Sequence, residues 1–253
     1  MATIDLNSDM GEYETPELLA QEAQLMPLIT SANIACGAHA GNPDLMRRTA
    51  RLASQHGVAI GAHPGFPDTQ DFGRQDHRTS SEEVKSLLSA QLSTLVDVLA
   101  SEHLALSHVK LHGALYNLAS RDRTVADAVT QAIRPFDPHL LLFALAGSEL
   151  VKSGRTAGLT VVQEAFADRA YKSDGTLVPR SQPHALLQTE QQVRRRLREI
   201  FNGYVTSIDG QRVPIRADTL CVHIDTPHAI EFLRIIRQDI QSAGVRIAKP
   251  LQA

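Results

Sequence analysis

Gly37-Ala38-His39-Ala40-Gly41-Asn42-Pro43-Asp44 returns as Gly61-Ala62-His63-Pro64-Gly65-Phe66-Pro67-Asp68, identical at six of eight positions and 24 residues further along. Each copy follows an apolar run, so His39 and His63 are expected at the C-terminal ends of two equivalent strands. The glycines around them would let backbone approach a ligand closely. One such segment reads as loop geometry; two at matching strand ends point to function.

Other polar groups share this placement. Asp5, Asn7, Asp9 and Glu12 fall within Asp5-Leu6-Asn7-Ser8-Asp9-Met10-Gly11-Glu12. They suit general-base work, metal ligation or the anchoring of a substrate ammonium, although a helix cap would also account for Glu12. Asp5 lies inside an apolar run, where a buried carboxylate needs a partner. Lys110 is the expected one. Lys110 and His112 set a cation two residues from a proton-transfer group, and an unpaired buried lysine is costly. Glu164, Asp168 and Arg169 close a further apolar run; Arg169 could grip a substrate carboxylate through two parallel hydrogen bonds, or belong with Asp168 to a surface cap. His223 and Asp225 suit an imidazole oriented by a carboxylate, or a satisfied core pair.

His39, His63, His112, Asp5 and Asp9 are donor types that zinc or another divalent ion accepts, but no tight spacing marks a metal site. The metal question stays open at this level. No glycine precedes a lysine, so a phosphate-cradling P-loop is absent, as are G-x-G-x-x-G, G-x-S-x-G and C-x-x-C. No organic prosthetic group is expected. Cys36 stands close to His39 yet lies in an apolar strand, where thiols are usually inert.

The elements that must position these groups alternate. Strands are expected at 3–8, 28–35, 58–62, 107–111, 140–144, 160–164, 219–224 and 245–248. Helices run between them: Asn42-Pro43 to Gly57, Ser81-Glu82-Glu83 to His103, and Thr226-Pro227 to Gly244. Strand polarity then selects the architecture. Asp5, Asn7 and Asp9 share one face, as do His108, Lys110 and His112, and again Cys221, His223 and Asp225, with aliphatic residues opposite. A doubly wound sheet wants both faces apolar. Polar inside and aliphatic outside describes an irregular (β/α) barrel of seven or eight mostly parallel strands, in one domain spanning 1–253. Segments 204–208 and 211–215 flank Asp209-Gly210, which predicts an inserted β-hairpin over 204–215 with a two-residue type I′ turn. Residues 172–188, rich in glycine and proline, read as a long functional loop.

The 253 residues carry 25 Lys plus Arg against 28 Asp plus Glu, a net charge of -3, which argues against a nucleic-acid partner. Arg194, Arg195, Arg196 and Arg198 read as a solvated helix face. No apolar run approaches a membrane span, no signal peptide is visible, and two cysteines fit a reduced, cytoplasmic setting.

With these residues in view, the chain resembles the LamB/YcsF family. The resemblance rests on the stretches at 5–12, 33–41, 61–65, 72–74, 110–117, 164–171, 175–180 and 221–227, in order along nearly the whole chain. One departure is Ile224, where the family usually has glycine. The resemblance implies a barrel related to glycoside hydrolases and polysaccharide deacetylases. It also implies the A component of an ATP-hydrolysing 5-oxoprolinase, opening 5-oxo-L-proline to L-glutamate with two other subunits that bind most of the ATP and Mg2+. On that footing Asp9 or His39 would activate water, and Lys110 with His112 would stabilise charge on the amide oxygen or its phosphate. Arg169 would hold the substrate carboxylate, and His63, Asp168, His223 and Asp225 would line the pocket. The alternatives are a self-sufficient metal-dependent amidase or deacetylase and a non-catalytic substrate-binding subunit.

Overall fold

Side-chain alternation along the first strand decides the architecture. Ile4 and Leu6 point into an aliphatic layer under the helices, while Asp5, Asn7 and Asp9 are buried on the opposite face. The structure, a computed structural model, describes residues 3–75, 77–226 and 228–251. Its strands are β1 (Thr3–Met10), β2 (Ser31–Ala35), β3 (Ala59–His63), β4 (His108–Lys110), β5 (Leu141–Leu145), β6 (Thr160–Phe166), β7 (Tyr204–Thr206), β8 (Arg212–Pro214), β9 (Thr219–Cys221) and β10 (Arg246–Ile247). Strands β1 to β6 pair in sequence, all parallel, β6 then pairs with β9, and β9 returns to β1. Seven strands therefore close a barrel. The eighth, β10, joins β1 at Thr3 and Ile4, where the Ile4 carbonyl takes the Ala248 amide on the edge that β2 uses further along, while β9 takes the opposite edge from Asp5.

The helices are α1 (Pro16–Leu25), α2 (Pro43–Gln55), α3 (Ser81–Ser101), α4 (Gly113–Arg121), α5 (Arg123–Ile133), α6 (Glu149–Thr156), α7 (Glu190–Phe201) and α8 (Ala229–Ser242). Asn42 caps α2 by accepting from the amides of Asp44 and Leu45, with Pro43 in the first turn. Ser80 and Glu83 form a reciprocal capping box on α3. Met46, Ala50, Leu88, Leu92, Leu95, Val129, Leu233 and Ile236 cover the outward faces of the strands. Among the described residues no helix is long and apolar enough to cross a membrane.

Four expectations change. Residues 26–28 form a turn of 3-10 helix, so β2 starts at Ser31 rather than 28. The last long helix begins at Ala229, not at Thr226; the Thr226 hydroxyl donates to Asp168 instead, and Pro227 lies outside the described residues. The 204–215 segment is an antiparallel hairpin, but its tip holds three residues: the Ser207 amide bonds the Gln211 carbonyl, and Gly210 takes φ 77°. Asp209 keeps a negative φ, which a type I′ turn forbids and a type I turn with a glycine bulge requires. Arg196 leaves the solvated face: it is buried, stacked over the Tyr171 ring and bonded to the Thr206 carbonyl.

Candidate functional site

The site is built upward from the barrel floor. Register places Asp5 beside Thr219 and near Ser31 and Thr30. Its Oδ1 accepts from Thr30 (2.6 Å) and Ser31 (2.7 Å), and its Oδ2 from Thr219 (2.5 Å). Burial outweighs these three hydroxyls and pushes the Asp5 carboxyl up to about 6. The expected pairing with Lys110 is therefore not made. Lys110 comes from β4, across the barrel and one layer higher, and its ammonium reaches Asp9 (2.8 Å), Glu164 (3.1 Å) and Asn7 (3.1 Å). Burial opposes its charge, but the Asp9 and Glu164 carboxylates hold it well above the usual lysine range.

This layer is fully connected. Glu164 accepts from Asn7 and from the Tyr116 hydroxyl (2.7 Å), and Asn33 donates to both Asn7 and Asp9. His108 donates to Asn33 from beneath and stacks on Phe143. Its ring occupies the space a side chain at Gly61 would need, which is why a glycine stands in β3 there. Burial opposes the Asp9 charge, but His63 and Lys110 hold its carboxyl well below the usual range.

Above lies a cavity of about 660 Å³ at the C-terminal ends of the strands, where a barrel builds its sites. Asp9, Glu12, His63, Lys110, His112, Arg169, His223 and Asp225 line it. Asp5, Asn7 and Glu164 lie beneath, Asp168 lies behind His223, and His39 lies behind Glu12. The two histidine repeats are not equivalent in register: His63 ends β3, opposite Ala35, whereas His39 stands four residues beyond Ala35 in a loop. Their rings nevertheless meet, 5.6 Å apart and edge to face. His39 stacks flat on His112 at 3.7 Å and reaches Glu12 at 3.1 Å. Burial holds His39 below the usual imidazole range, and burial together with His39 and His63 holds His112 well below it.

On the opposite wall, His223 is oriented by Asp168 rather than by Asp225. Asp168 accepts from the His223 amide, from its Nδ1 (3.0 Å) and from Thr226 (2.7 Å), leaving Nε2 turned to the cavity and 3.6 Å from Asp9. Burial works against the Asp168 charge, but His223 and Arg180 hold the carboxyl well below its usual range. Asp225 instead bridges two loops at the mouth, pairing with Arg74 (2.8 Å) and Arg180 (2.7 Å). The segment after β6 folds back across the mouth through Ala170–Ala185 and Leu187–Asp168 backbone bonds, delivering Arg180. Arg169 makes no ion pair among the described residues: one guanidinium nitrogen donates to the Val178 carbonyl and Nε has no partner. Burial, then Arg180, lowers it to about 10.

Arg74, Arg180 and Tyr116 line the cavity although no chemistry was assigned to them from sequence. The signal was present in Phe72-Gly73-Arg74 and in Pro179-Arg180, cations on glycine- and proline-rich loops, but nothing local tells which loops fold inward. Cys36 donates to the Ile34 carbonyl, and burial pushes its thiol up to about 12, so it is no nucleophile.

The LamB/YcsF family model matches residues 4–253. The A component of 5-oxoprolinase from Tolumonas auensis is 45% identical over 248 residues, 98% of this chain and 99% of that protein. That of Bacillus subtilis is also 45% identical, over 98% of this chain and 96% of its own. The crystal structure of the lactam utilization protein from Thermus thermophilus superposes with a TM-score of 0.86 at 43% identity, covering 97% of this chain and 99% of that one. The chain belongs to the LamB/YcsF family.

Proposed function

We propose that this LamB/YcsF protein is a lactam hydrolase component: with two other subunits that bind most of the ATP and Mg2+, it opens 5-oxo-L-proline to L-glutamate in the cytoplasm. The names of its relatives, as the A component of 5-oxoprolinase, support the substrate class. One observation carries the reading. One cavity sets a buried guanidinium that makes no ion pair among the described residues, Arg169, apart from a wall of carboxylate, ammonium and oriented imidazole.

Each part then has work to do. Arg169 takes the ring carboxylate, which relieves an uncompensated buried charge. Lys110 stabilises charge on the amide oxygen; His112, whose hydrogen is held by the Phe72 carbonyl, lines the cavity beside it. His223, its Nδ1 fixed by Asp168, moves protons at Nε2 with Asp9 beside it. His39 does not reach the cavity, so the choice between Asp9 and His39 for water activation falls to Asp9.

A lactam is a poor electrophile, and general acid–base help supplies only about 10²–10⁴-fold. Transfer of the ATP γ-phosphoryl group to the amide oxygen converts that oxygen into a leaving group. One water then adds to the amide carbon, the C–N bond opens, and a second water accounts for release of phosphate. Glutamate, ADP and phosphate are the products.

The test is calorimetry of the purified chain with 5-oxoproline, followed by glutamate-release assays with and without ATP and partner subunits. Binding by the chain alone, with turnover only in the ATP-supplied complex, is the expected result. ATP-independent turnover by the isolated chain would replace this reading with the lone amidase. Turnover of the complex unaffected by Asp9→Asn and Arg169→Gln would leave a non-catalytic role.

A further inference from the structure

The histidines behind Glu12 pose a proton-counting problem that the lactam chemistry does not solve. His63 Nδ1 lies 2.9 Å from the Lys110 carbonyl, and His112 Nε2 lies 2.7 Å from the Phe72 carbonyl. A carbonyl only accepts, so both of these nitrogens carry hydrogen. The other nitrogens, His63 Nε2 and His112 Nδ1, are therefore bare lone pairs in the neutral rings. They face each other at 3.0 Å. Around them stand more acceptors: Glu12 Oε1 is 3.4 Å from His112 Nδ1 and 3.9 Å from His63 Nε2, and Asp9 Oδ2 is 3.2 Å from His63 Nε2. In the neutral rings lone pairs converge here from three or four directions, and one proton added at His63 Nε2 serves Asp9 or His112 but still leaves Glu12 facing His112 Nδ1.

We propose that Glu12, His63 and His112 bind one divalent transition-metal ion, of the zinc or cobalt class, facing the cavity. Ligands at about 2.0–2.1 Å from a tetrahedral ion stand roughly 3.4 Å apart, and the three separations of 3.0, 3.4 and 3.9 Å bracket that value. Two imidazoles and a carboxylate select zinc, cobalt or nickel over magnesium or calcium. Both ligand rings have their far nitrogens fixed on carbonyls, the outer support that metal-bound histidines usually carry. That support is built at a cost: Phe72, whose carbonyl holds His112, takes φ 55°, a left-handed conformation unfavourable for a bulky side chain.

His39 is not a ligand in this arrangement. Its ring lies parallel to His112 at 3.7 Å, so no single ion can sit in both ring planes. It bonds Glu12 and positions that carboxylate instead. Glu12, His63 and His112 all line the cavity while His39 does not, so the open coordination positions face whatever the cavity holds. Neither the acceptor count nor the ligand spacing depends on the lactam reading.

The test uses the full, tag-free chain, stripped with a chelator. Stoichiometric Co2+ uptake is read from visible absorption and Zn2+ uptake by calorimetry. One ion per chain is expected. His63→Gln and His112→Gln should each weaken Zn2+ binding about 100-fold or more, and His39→Gln about 10-fold. His223→Gln, on the opposite wall, should leave it unchanged. Thermal melts by circular dichroism establish which variants are folded. A stripped wild-type chain that takes up neither ion stoichiometrically overturns the proposal without any variant. So does a folded His63→Gln/His112→Gln chain that binds like the wild type.

Discussion

Replacing Asp5 by Asn should make the protein more stable at neutral pH and not in acid. The Asp5 carboxyl keeps its proton to about pH 6 in the fold but releases it near 3.8 when unfolded. Because the folded value is the raised one, the native state binds more protons than the unfolded state between those limits. Stability therefore falls as pH rises through that window. At about 1.4 kcal/mol per pH unit the loss reaches about 3 kcal/mol by pH 6 and stays constant above it. Asparagine is nearly the shape of the protonated acid and carries no charge. It keeps one oxygen for Thr30 and Ser31 and turns an amide toward Thr219. Urea denaturation of both proteins from pH 4 to 8 reads the difference directly. The expected stability gain of Asp5→Asn is small at pH 4, grows to about 3 kcal/mol near pH 6 and then levels off. A difference that does not vary with pH would refute the reasoning. Because Asp5 lies under the cavity, the variant should retain turnover in the reconstituted complex; loss of activity with a native melt would return Asp5 to the substrate contacts.

Arg169→Gln should raise KM for 5-oxoproline by about 10–100-fold, the loss of one charge-assisted pairing, with a smaller change in kcat. Steady-state kinetics of the complex separates the two. Asp168→Asn removes the group that fixes His223 Nδ1 and should lower kcat about 100-fold or more; unchanged kcat would remove His223 from proton transfer. Gly61→Ala drives a methyl group into the His108 ring, costing about 1–3 kcal/mol and lowering Tm by several degrees in a calorimetric scan. Tyr116→Phe leaves Glu164 Oε2 without its donor and should cost about 1–3 kcal/mol, read by urea denaturation.

The barrel was legible because its signal is local. Period-two alternation at Asp5, Asn7 and Asp9 states which face is polar, and every strand that repeats it votes for the same lumen. Which polar groups meet was not legible, because that depends on register between strands far apart in sequence. Lys110 and Asp5 share the lumen but stand at different heights, and only the β3–β4 and β1–β9 offsets reveal it. Spacing also misled at His223, whose neighbour two residues on, Asp225, is drawn to Arg74 and Arg180 while Asp168 arrives from β6. The repeated Gly-Ala-His stretch pointed to two rings that do meet but misplaced one of them, since one copy ends a strand and the other follows one.

The edge of β1 opposite β2 is closed by β9, and the Asp5–Thr219 bond spans 214 residues of chain. During synthesis that edge of the first strand has no partner until nearly everything else has been made, a long wait for a contact of such high sequence separation. An open edge of this kind invites pairing with other chains. The aspartates and asparagine that later fill the lumen stand on the same strand, and before closure they are charges and amides that a foreign sheet would have to bury unpaired. The residues that build the floor of the mature barrel thus also guard the nascent one, and the penalty they impose on a wrong partner disappears only when Thr219, Lys110 and Glu164 come into place.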